Sequence, residues 1–164
     1  MPDDLSQEEK RGFKLALRII SRKSRTSLEI EEALTRKGID RAAILKSISL
    51  LEELGYLNDQ DYAYNYAVLK ASEKLWGTKR IHVELKKKRL PESVISEALK
   101  RLKDEVSDEE TLEKALKKKI ASMHDLSDAR DVRRLFNYLA RHGFAGHLII
   151  EKMKKLKMAV PHEF

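Results

Sequence analysis

The sequence of 164 residues contains no cysteine, and this absence excludes disulfide bonds and thiolate metal sites. No apolar run approaches the roughly 20 residues that a helix needs to span a bilayer. The first seven residues are polar and acidic, so we expect no signal peptide there. Together these absences predict a soluble, cytoplasmic protein that does not enter a membrane.

Sequence motifs for catalysis and for metal binding are also missing. The five histidines include no His-Glu-x-x-His pair and no other compact set of metal ligands. The six glycines are scattered and form no phosphate-binding loop. No serine stands in the pattern of a strained nucleophile elbow. The sequence therefore predicts a protein that is not an enzyme, with no catalytic residue, no metal and no cofactor.

Charged residues are abundant, at 37% of the chain against 41% apolar residues. So much charge leaves little material for a core, and small helical modules suit this balance better than one large globule. The net charge is +7, from 34 basic and 27 acidic side chains. This excess permits binding to nucleic acid or to an acidic protein. A solvated helical surface rich in lysine and glutamate gives a similar value.

A pattern of six apolar residues, spaced as in helices, occurs three times. The second copy follows the first by 51 residues, and the third follows the second by 54. The copies are Ile30, Leu34, Ile39, Ile44, Ile48 and Leu51; Ile81, Leu85, Leu90, Ile95, Leu99 and Leu102; and Leu135, Leu139, Phe144, Ile149, Met153 and Leu156. Fixed offsets at six positions in three copies indicate a true internal repeat.

Each copy contains a helix, a sharp turn and a second helix. Gly38 and Gly143 at the turns are expected to adopt positive φ as helix C-caps, and Arg89 takes the same place in the second copy. Asp40 is a candidate N-cap for the following helix, and Pro91 replaces it in the second copy as a candidate first helical residue.

A further helix is predicted before each copy, at about residues 8–23, 59–75 and 108–123. Helix-start signals are the candidate capping boxes at Ser6, Thr26 and Ser107 and the candidate N-cap Asn58. The residues expected to face the core from these helices and from the adjoining turn are Phe13, Ala16, Leu17, Ile20, Tyr56, Tyr62, Tyr66, Leu69, Leu112, Leu116 and Ile120.

The sequence therefore predicts an all-α protein of three tandem three-helix modules. We place the modules at residues 1–57, 58–105 and 106–164. A module of this size is barely large enough to fold alone, so neighbouring modules are expected to share a seam. The expected shape is an elongated, curved rod.

Several short fragments occur in the same order and spacing in a known family. They are Leu34-Thr35-Arg36-Lys37-Gly38-Ile39, the Leu54-Gly55-Tyr56-Leu57 turn, Tyr62-Ala63 with Tyr66, Arg80-Ile81 with Glu84-Leu85, and Leu139-Ala140-Arg141-His142-Gly143-Phe144. In these fragments the chain resembles the RecX family, over about residues 13–157. It departs from the family pattern at residues 75–78, at Arg89 in place of a glycine and at Lys70 in place of an arginine.

The resemblance implies a regulator of the recombinase RecA in DNA repair, recombination and the SOS response. RecX-like proteins lie in the groove of the RecA–DNA filament and reduce its ATPase, strand-exchange and co-protease activities. The implied partners are RecA recombinase and the RecA–DNA filament, with DNA itself as a further candidate, and the chain is expected to act as a monomer.

The positive charge is concentrated in the middle module, where residues 58–103 carry 11 basic and 6 acidic side chains. If Ile81 and Leu85 mark the buried face of a helix, cations flank that face on both sides. The candidate contacts to RecA or DNA are Lys70, Lys74, Trp76, Lys79, Arg80, Lys86, Lys87, Lys88 and Arg89. The alternatives are an ordinary solvated helix face, and a tryptophan that fills a gap between helices.

Two other functions remain open from the sequence. Each module ends in two helices joined by a turn, and such pairs can place the second helix in a DNA groove. Against direct DNA binding, the second helix of the first pair carries Glu52 and Glu53 beside Lys46, whereas a groove reader should concentrate Arg, Asn and Gln there. The third possibility is a helical scaffold for another protein.

Overall fold

The computed structural model describes residues 5–123 and 128–156, and over these residues it contains nine α-helices and no strand. The helices are α1 (Gln7–Ile20), α2 (Ser27–Thr35), α3 (Arg41–Glu53), α4 (Asp59–Lys74), α5 (Thr78–Lys87), α6 (Glu92–Glu105), α7 (Asp108–Ile120), α8 (Ala129–Arg141) and α9 (Gly146–Lys155). The predicted all-α fold of consecutive helix triplets is confirmed. None of these helices is long and apolar enough to cross a bilayer.

Each helix triplet surrounds its own apolar core. The core of α1–α3 is built from residues 5–57, that of α4–α6 from residues 63–106, and that of α7–α9 mainly from residues 112–153. The helix pairs that pack extensively all belong to the same triplet. We call the triplets the first, second and third modules. Their residue boundaries and the elongated shape stay predictions, and scattering should give a radius of gyration above the roughly 15 Å of a compact chain of this length.

The repeated apolar pattern accounts for most of the core. Its first four positions are buried in all three copies, as in Ile30, Ile81 and Leu135, which are fully shielded from solvent. At the fifth position Ile48 and Leu99 are half-buried, and the clear exception is the last position of the third copy, where Leu156 is 52% exposed. This residue is the C-cap of α9, so it has already left the helical face that carries the pattern.

The core was expected to include Tyr56 at the end of the first module and Tyr62, Tyr66 and Leu69 of the second, and this prediction is largely wrong. Tyr56 is 59% exposed and Leu69 is 45% exposed. Tyr62 and Tyr66 are half-buried at the edge of the core. The buried face of α4 consists instead of its small residues Ala63, Ala67 and Ala71. Alanine leaves room for a close approach of α4 to α6, its main packing partner, whereas tyrosines at those positions would hold the helices apart.

The predicted helix starts are mostly present. Ser6 and Thr26 form complete capping boxes with the glutamates three residues later, and Asn58 and Asp40 cap α4 and α3. Ser107 accepts a hydrogen bond from the Glu110 N–H, as the first half of a capping box. The prediction for Pro91 is wrong by one residue, because Pro91 is the N-cap of α6 and the helix begins at Glu92.

The turns within the modules have the predicted backbone conformation. Gly38 has a φ of 71°, Gly143 a φ of 92° and Arg89 a φ of 57°, all in the region of positive φ. Leu75, the C-cap of α4, also has a positive φ, of 52°, which no sequence signal indicated. For a residue with a side chain this conformation costs about 1–2 kcal/mol, so packing must hold Leu75 and Arg89 in place.

Candidate functional site

The candidate surface is centred on α5, which buries Ile81 and Leu85 completely. The side chains of Lys79, Lys86 and Lys87 project from this helix into solvent. Lys87 pairs with Glu84 at 2.8 Å but keeps 66% of its side chain exposed. The buried stripe thus places positive charge on the open side of α5, as predicted.

Lys74, at the end of α4, is also exposed. In the part of the chain that the structure describes, neither Lys74 nor Lys79 forms an ion pair. Their charges are therefore available to an external partner without loss of an internal contact.

Four of the other candidates join two tyrosines in a row in which cations and aromatic rings alternate, which we call the cation–aromatic row. Its members, in spatial order, are Tyr62, Lys88, Tyr66, Lys70, Trp76 and Arg80. The Nζ of Lys70 lies 5.1 Å from the centroid of Tyr66 and 5.4 Å from that of Trp76. The guanidinium carbon of Arg80 lies 4.0 Å from the Trp76 ring. Such contacts stabilise a cation over a ring face, so these cations are held in fixed positions.

Both ends of the cation–aromatic row reach a neighbouring module. At one end, Lys88 Nζ donates to Glu29 of the first module at 2.8 Å. At the other end, Arg80 Nη1 donates to the Arg141 carbonyl oxygen of the third module at 3.1 Å. Trp76 packs against the core of the second module, as a residue that fills a gap would. Lys88, Arg80 and Trp76 were predicted to contact RecA or DNA, but all three already make contacts within the chain.

The contact between the first and second modules, the first junction, is made by charged and polar side chains. Besides the Lys88–Glu29 pair, Arg89 contacts Glu32 at 2.9 Å. Both partners of the Lys88–Glu29 pair are 24% exposed, whereas Arg89 is 68% exposed. The carboxylates of α2 therefore neutralise the two cations that follow α5.

The pKa values at the first junction follow from this pairing. Burial by itself would raise the pKa of Glu29, but the hydrogen bond and charge of Lys88, the Thr26 N–H and the charge of Arg25 together lower the pKa below its usual value. Burial would likewise lower the pKa of Lys88, but hydrogen bonds with Glu29 and Tyr62 raise the pKa above its usual value. Both groups are thus held in their charged forms.

The contact between the second and third modules, the second junction, is made largely by backbone. The Gly77 N–H donates to the His142 carbonyl oxygen at 2.8 Å. Gly143 lies so close to Arg80 that an added Cβ would be 2.3 Å from the Arg80 nitrogen. Leu75 packs against the core of the third module. Burial lowers the pKa of His142 more than the Tyr138 carbonyl raises it, so the neutral ring is favoured at this junction.

One device recurs at both junctions. The first residue of a module's middle helix donates its backbone N–H to the aspartate that begins the next module's first helix. Ser27 donates to Asp59 at 2.8 Å, and Thr78 donates to Asp108 at 3.1 Å. The Thr78 hydroxyl adds a second bond to Asp108 at 2.7 Å. An aspartate at the first position of both α4 and α7 was visible in the sequence, but its partner lies about 30 residues away and was missed.

A cleft of about 350 Å³ opens at the first junction. Its lining is mostly charged and consists of Leu28, Glu29, Glu32, Tyr66, Glu84, Lys87, Lys88 and Arg89. Sequence reasoning found the cations of this cleft but missed Glu29 and Glu32. Charge was summed over whole modules, and the near balance of the first module hid the three glutamates that α2 carries without any basic residue. Among residues 5–123 and 128–156, no group of three His, Asp or Glu side chains is arranged to hold a metal ion.

Family models match each module in turn. The models describe the first, second and third three-helix domains of RecX, and they match residues 13–49, 58–99 and 107–153. They therefore cover most of the chain, in the order in which the modules occur.

Individual proteins agree with these models. The chain is 30% identical over 138 residues to a regulatory protein RecX of Syntrophotalea carbinolica, covering 83% of this chain and 90% of that protein. It is 29% identical to a regulatory protein RecX of Chlorobium phaeobacteroides, covering 91% and 95%. The crystal structure of RecX from Lactobacillus salivarius superimposes with a TM-score of 0.78 at 26% identity, covering 93% of this chain and 99% of that one. With three matched domains, a relative at this identity and a shared fold, the chain belongs to the RecX family of regulatory proteins.

Proposed function

We propose that this chain binds RecA and the RecA–DNA filament and inhibits the recombinase, ATPase and co-protease activities of RecA in the cytoplasm. Membership of a family of regulatory proteins gives the role. The observation that carries the mechanism is the set of exposed cations on the second module, formed by Lys74, Lys79, Lys86 and Lys87. We call this set the α5 cationic surface.

A positive surface suits this partner for a physical reason. A nucleoprotein filament is a polyanion, and positive charge accelerates the encounter as well as strengthening the complex. Each phosphate contact also releases counterions, so binding through this surface should weaken as the salt concentration rises. Lys79, Lys86 and Lys87 are exposed on α5, whose buried residues are Ile81 and Leu85, and Lys74 is exposed at the end of α4, so all four can contribute to binding without being needed for the core.

The test replaces Lys74, Lys79, Lys86 and Lys87 together with glutamine. Arg80 stays unchanged, because it packs on Trp76 and contacts the third module, and its loss would confuse folding with binding. We expect inhibition of the RecA ATPase to need about tenfold more protein, and the remaining inhibition to depend less on salt. Circular dichroism and the melting temperature should stay nearly unchanged, because exposed side chains contribute little to folding.

The matched control replaces Arg36, Lys37, Arg41 and Lys46, which are exposed on the first module, with glutamine. Both variants lose four positive charges. If both lose inhibition equally, net charge acts diffusely and the α5 cationic surface has no special role. If the second-module variant inhibits as well as the unaltered protein, the contact lies elsewhere on the chain.

Binding to labelled DNA, with and without RecA and ATP, separates this function from its competitors. Tight binding only when the filament is present supports the proposal. Equal binding to bare DNA would favour direct DNA recognition by the helix-turn-helix pairs. Binding to neither would favour a scaffold for another protein. Sedimentation of the free chain and of the complex tests the expected monomer.

A further inference from the structure

We propose that Lys88 and Arg89 form a phosphate-binding site that the carboxylates of Glu29 and Glu32 occupy in the free protein. A phosphate polyanion would bind there by displacing these carboxylates, and the displacement would open the first junction. The inference deepens the proposed function and rests on it only for the identity of the natural ligand. We call this pair of cations the junction site.

The cations of the junction site are arranged for an oxyanion. Lys87, Lys88 and Arg89 are consecutive at the end of α5, and all three line the 350 Å³ cleft, which is open to solvent. Lysine offers a compact charge and arginine a planar fork of donors, and both are common ligands of phosphate. Arg89 is held at a positive φ of 57°. This conformation turns the chain sharply after α5 and places the Arg89 side chain beside Glu32.

The existing ion pairs are weak enough to be exchanged. The Arg89–Glu32 pair is largely exposed, with side-chain exposures of 68% and 38%, so solvent screens much of its attraction. The Lys88–Glu29 pair is better shielded, but it still borders the cleft at 24% exposure. A polyanion brings several charges at once, whereas each glutamate brings one, so the polyanion competes more strongly for adjacent cations.

Glu29 would not be left without partners after displacement. The Oε2 of Glu29, which does not contact Lys88, already accepts a hydrogen bond from the Thr26 N–H at 3.3 Å, and Arg25 Nη1 lies 3.7 Å from the same oxygen. The Nε of Arg25 is buried and has no hydrogen-bond partner among the described residues. A Glu29 carboxylate released from Lys88 stays beside this guanidinium. The carboxylate can therefore leave Lys88 without becoming an unpaired buried charge.

Opening is expected at the first junction alone. The bond from the Ser27 N–H to Asp59 involves neither cation of the junction site, so it can persist as the pivot between the first and second modules. The second junction relies on the Gly77–His142 backbone hydrogen bond and on apolar packing of Leu75, which a phosphate does not compete for. Arg80 also reaches this junction, but it is stacked on Trp76 and donates to a backbone carbonyl, so no carboxylate has to be displaced there. The second and third modules should thus move as one body.

The experiment measures distances across both junctions with attached spin labels. The chain has no cysteine, so introduced cysteines can be labelled selectively. Ala42→Cys with Ser96→Cys spans the first junction, and Ser96→Cys with Asn137→Cys spans the second; all three positions are exposed. The probes are inorganic tripolyphosphate and a short oligothymidylate, added at constant ionic strength. RecA is absent, so the result does not depend on whether the chain inhibits RecA.

The decisive variant is Glu29→Gln with Glu32→Gln. Glutamine also suits the third position of a capping box, so the cap with Thr26 is retained while the charge is removed. The control is Glu9→Gln with Glu31→Gln, which changes the net charge equally and retains the cap with Ser6 but leaves the junction site intact.

We expect either phosphate probe to lengthen or broaden the first-junction distance and to leave the second unchanged. In the Glu29→Gln, Glu32→Gln variant the first-junction distance should be broadened without a probe, and tripolyphosphate should bind more tightly, by up to about fivefold for each pair released. Comparing the half-effect concentrations per phosphate shows whether a free polyphosphate or a nucleic-acid backbone fits better. A first junction that does not respond, equal responses at both junctions, or equal behaviour of the control would each overturn the proposal.

Discussion

The two junctions between the modules share one contact and differ in most others. In both, a backbone N–H at the start of a middle helix donates to an aspartate of the next module, from Ser27 to Asp59 and from Thr78 to Asp108. Beyond this shared bond, the first junction is made of ion pairs, whereas the second is made of backbone contacts and apolar packing.

The difference arises at equivalent positions of the repeat. Each pair gives the residue at the first junction and then its equivalent at the second: Ser24 and Leu75, Arg25 and Trp76, Glu29 and Arg80, Lys88 and His142, and Arg89 and Gly143. Where the second copy has a glutamate-binding arginine at a turn, the third has a glycine, and the backbones approach more closely. A repeat can therefore keep its helices and cores while its junctions change character. The stability of the first junction should therefore depend on ionic strength, and that of the second on the volume of the side chains placed there.

The largest expected effect comes from Gly143→Ala at the second junction. The new Cβ would lie 2.3 Å from the Arg80 nitrogen, and alanine disfavours the φ of 92°. We expect a loss of about 3 kcal/mol in unfolding free energy, from backbone strain and overpacking together. Gly38→Ala is the control, since its φ of 71° is similar but no atom lies within 4 Å, and it should cost only about 1 kcal/mol. Equal costs in urea unfolding would show that the close approach is relieved by movement of the modules.

The shared aspartates should differ in their contributions. Asp108 accepts hydrogen bonds from both the N–H and the hydroxyl of Thr78, whereas Asp59 accepts one from Ser27. We expect Asp108→Ala to cost about 2 kcal/mol and Asp59→Ala about 1 kcal/mol, because each charge-assisted bond contributes a part of that sum. Hydrogen exchange at the Thr78 and Ser27 amides should locate the loss. A larger loss of unfolding free energy from Asp59→Ala than from Asp108→Ala would contradict this prediction.

Salt should distinguish the cations at the two junctions. Lys88→Met removes the ammonium and retains most of the aliphatic chain, so it should cost about 1 kcal/mol or less at low salt and almost nothing at 1 M NaCl. Arg80→Met is the counterpart, and it removes a bond to the Arg141 carbonyl and a contact with Trp76. Because neither of these partners is a charged group, the cost of Arg80→Met should change little with salt. Thermal unfolding over a series of salt concentrations measures both.

Acidification should give the smallest effect, through the Glu29 carboxylate of the first junction. The pKa of Glu29 in the folded chain lies below its usual value of 4.5. The stabilisation by Glu29 is therefore complete above about pH 4.5 and is lost as the pH falls through the lowered folded pKa. The Ala42→Cys, Ser96→Cys distance should broaden over that range in the unaltered protein. In the Glu29→Gln variant this pH-dependent change in distance should be absent, because residue 29 no longer titrates. If the change persists, another carboxylate causes it.

Much of the fold could be read from spacing alone. The positions equivalent to Ile30, Leu34 and Ile44 are buried in every copy, and Gly38 and Gly143 have the expected positive φ. These features depend on residues within one or two helical turns of one another, which is the range over which sequence patterns are informative. The choice of buried face on α4 failed, since two stripes of equal period were available and the larger side chains were favoured over Ala63, Ala67 and Ala71.

The sequence predicted which cations belong to the candidate site, but not which of them are already bound by other parts of the chain. The sequence identified the cations of the second module, and Lys74, Lys79, Lys86 and Lys87 are exposed as expected. It gave no means to foresee that Lys88 and Arg89 pair with α2, or that Arg80 contacts the third module. Those contacts join residues about 60 positions apart, and no local pattern connects them.

The sequence by itself determined that this protein is all-α, that its helices come in three repeated triplets, and which residues carry the cores on most helices, with α4 as the exception. Helical periodicity, capping residues and glycine turns are local properties, and they act before the modules meet. Only the tertiary structure decided which cations remain free and how each junction is made. That outcome depends on the angle at which one module meets the next, which places Glu29 against Lys88 at the first junction and Gly143 against the Arg80 backbone at the second.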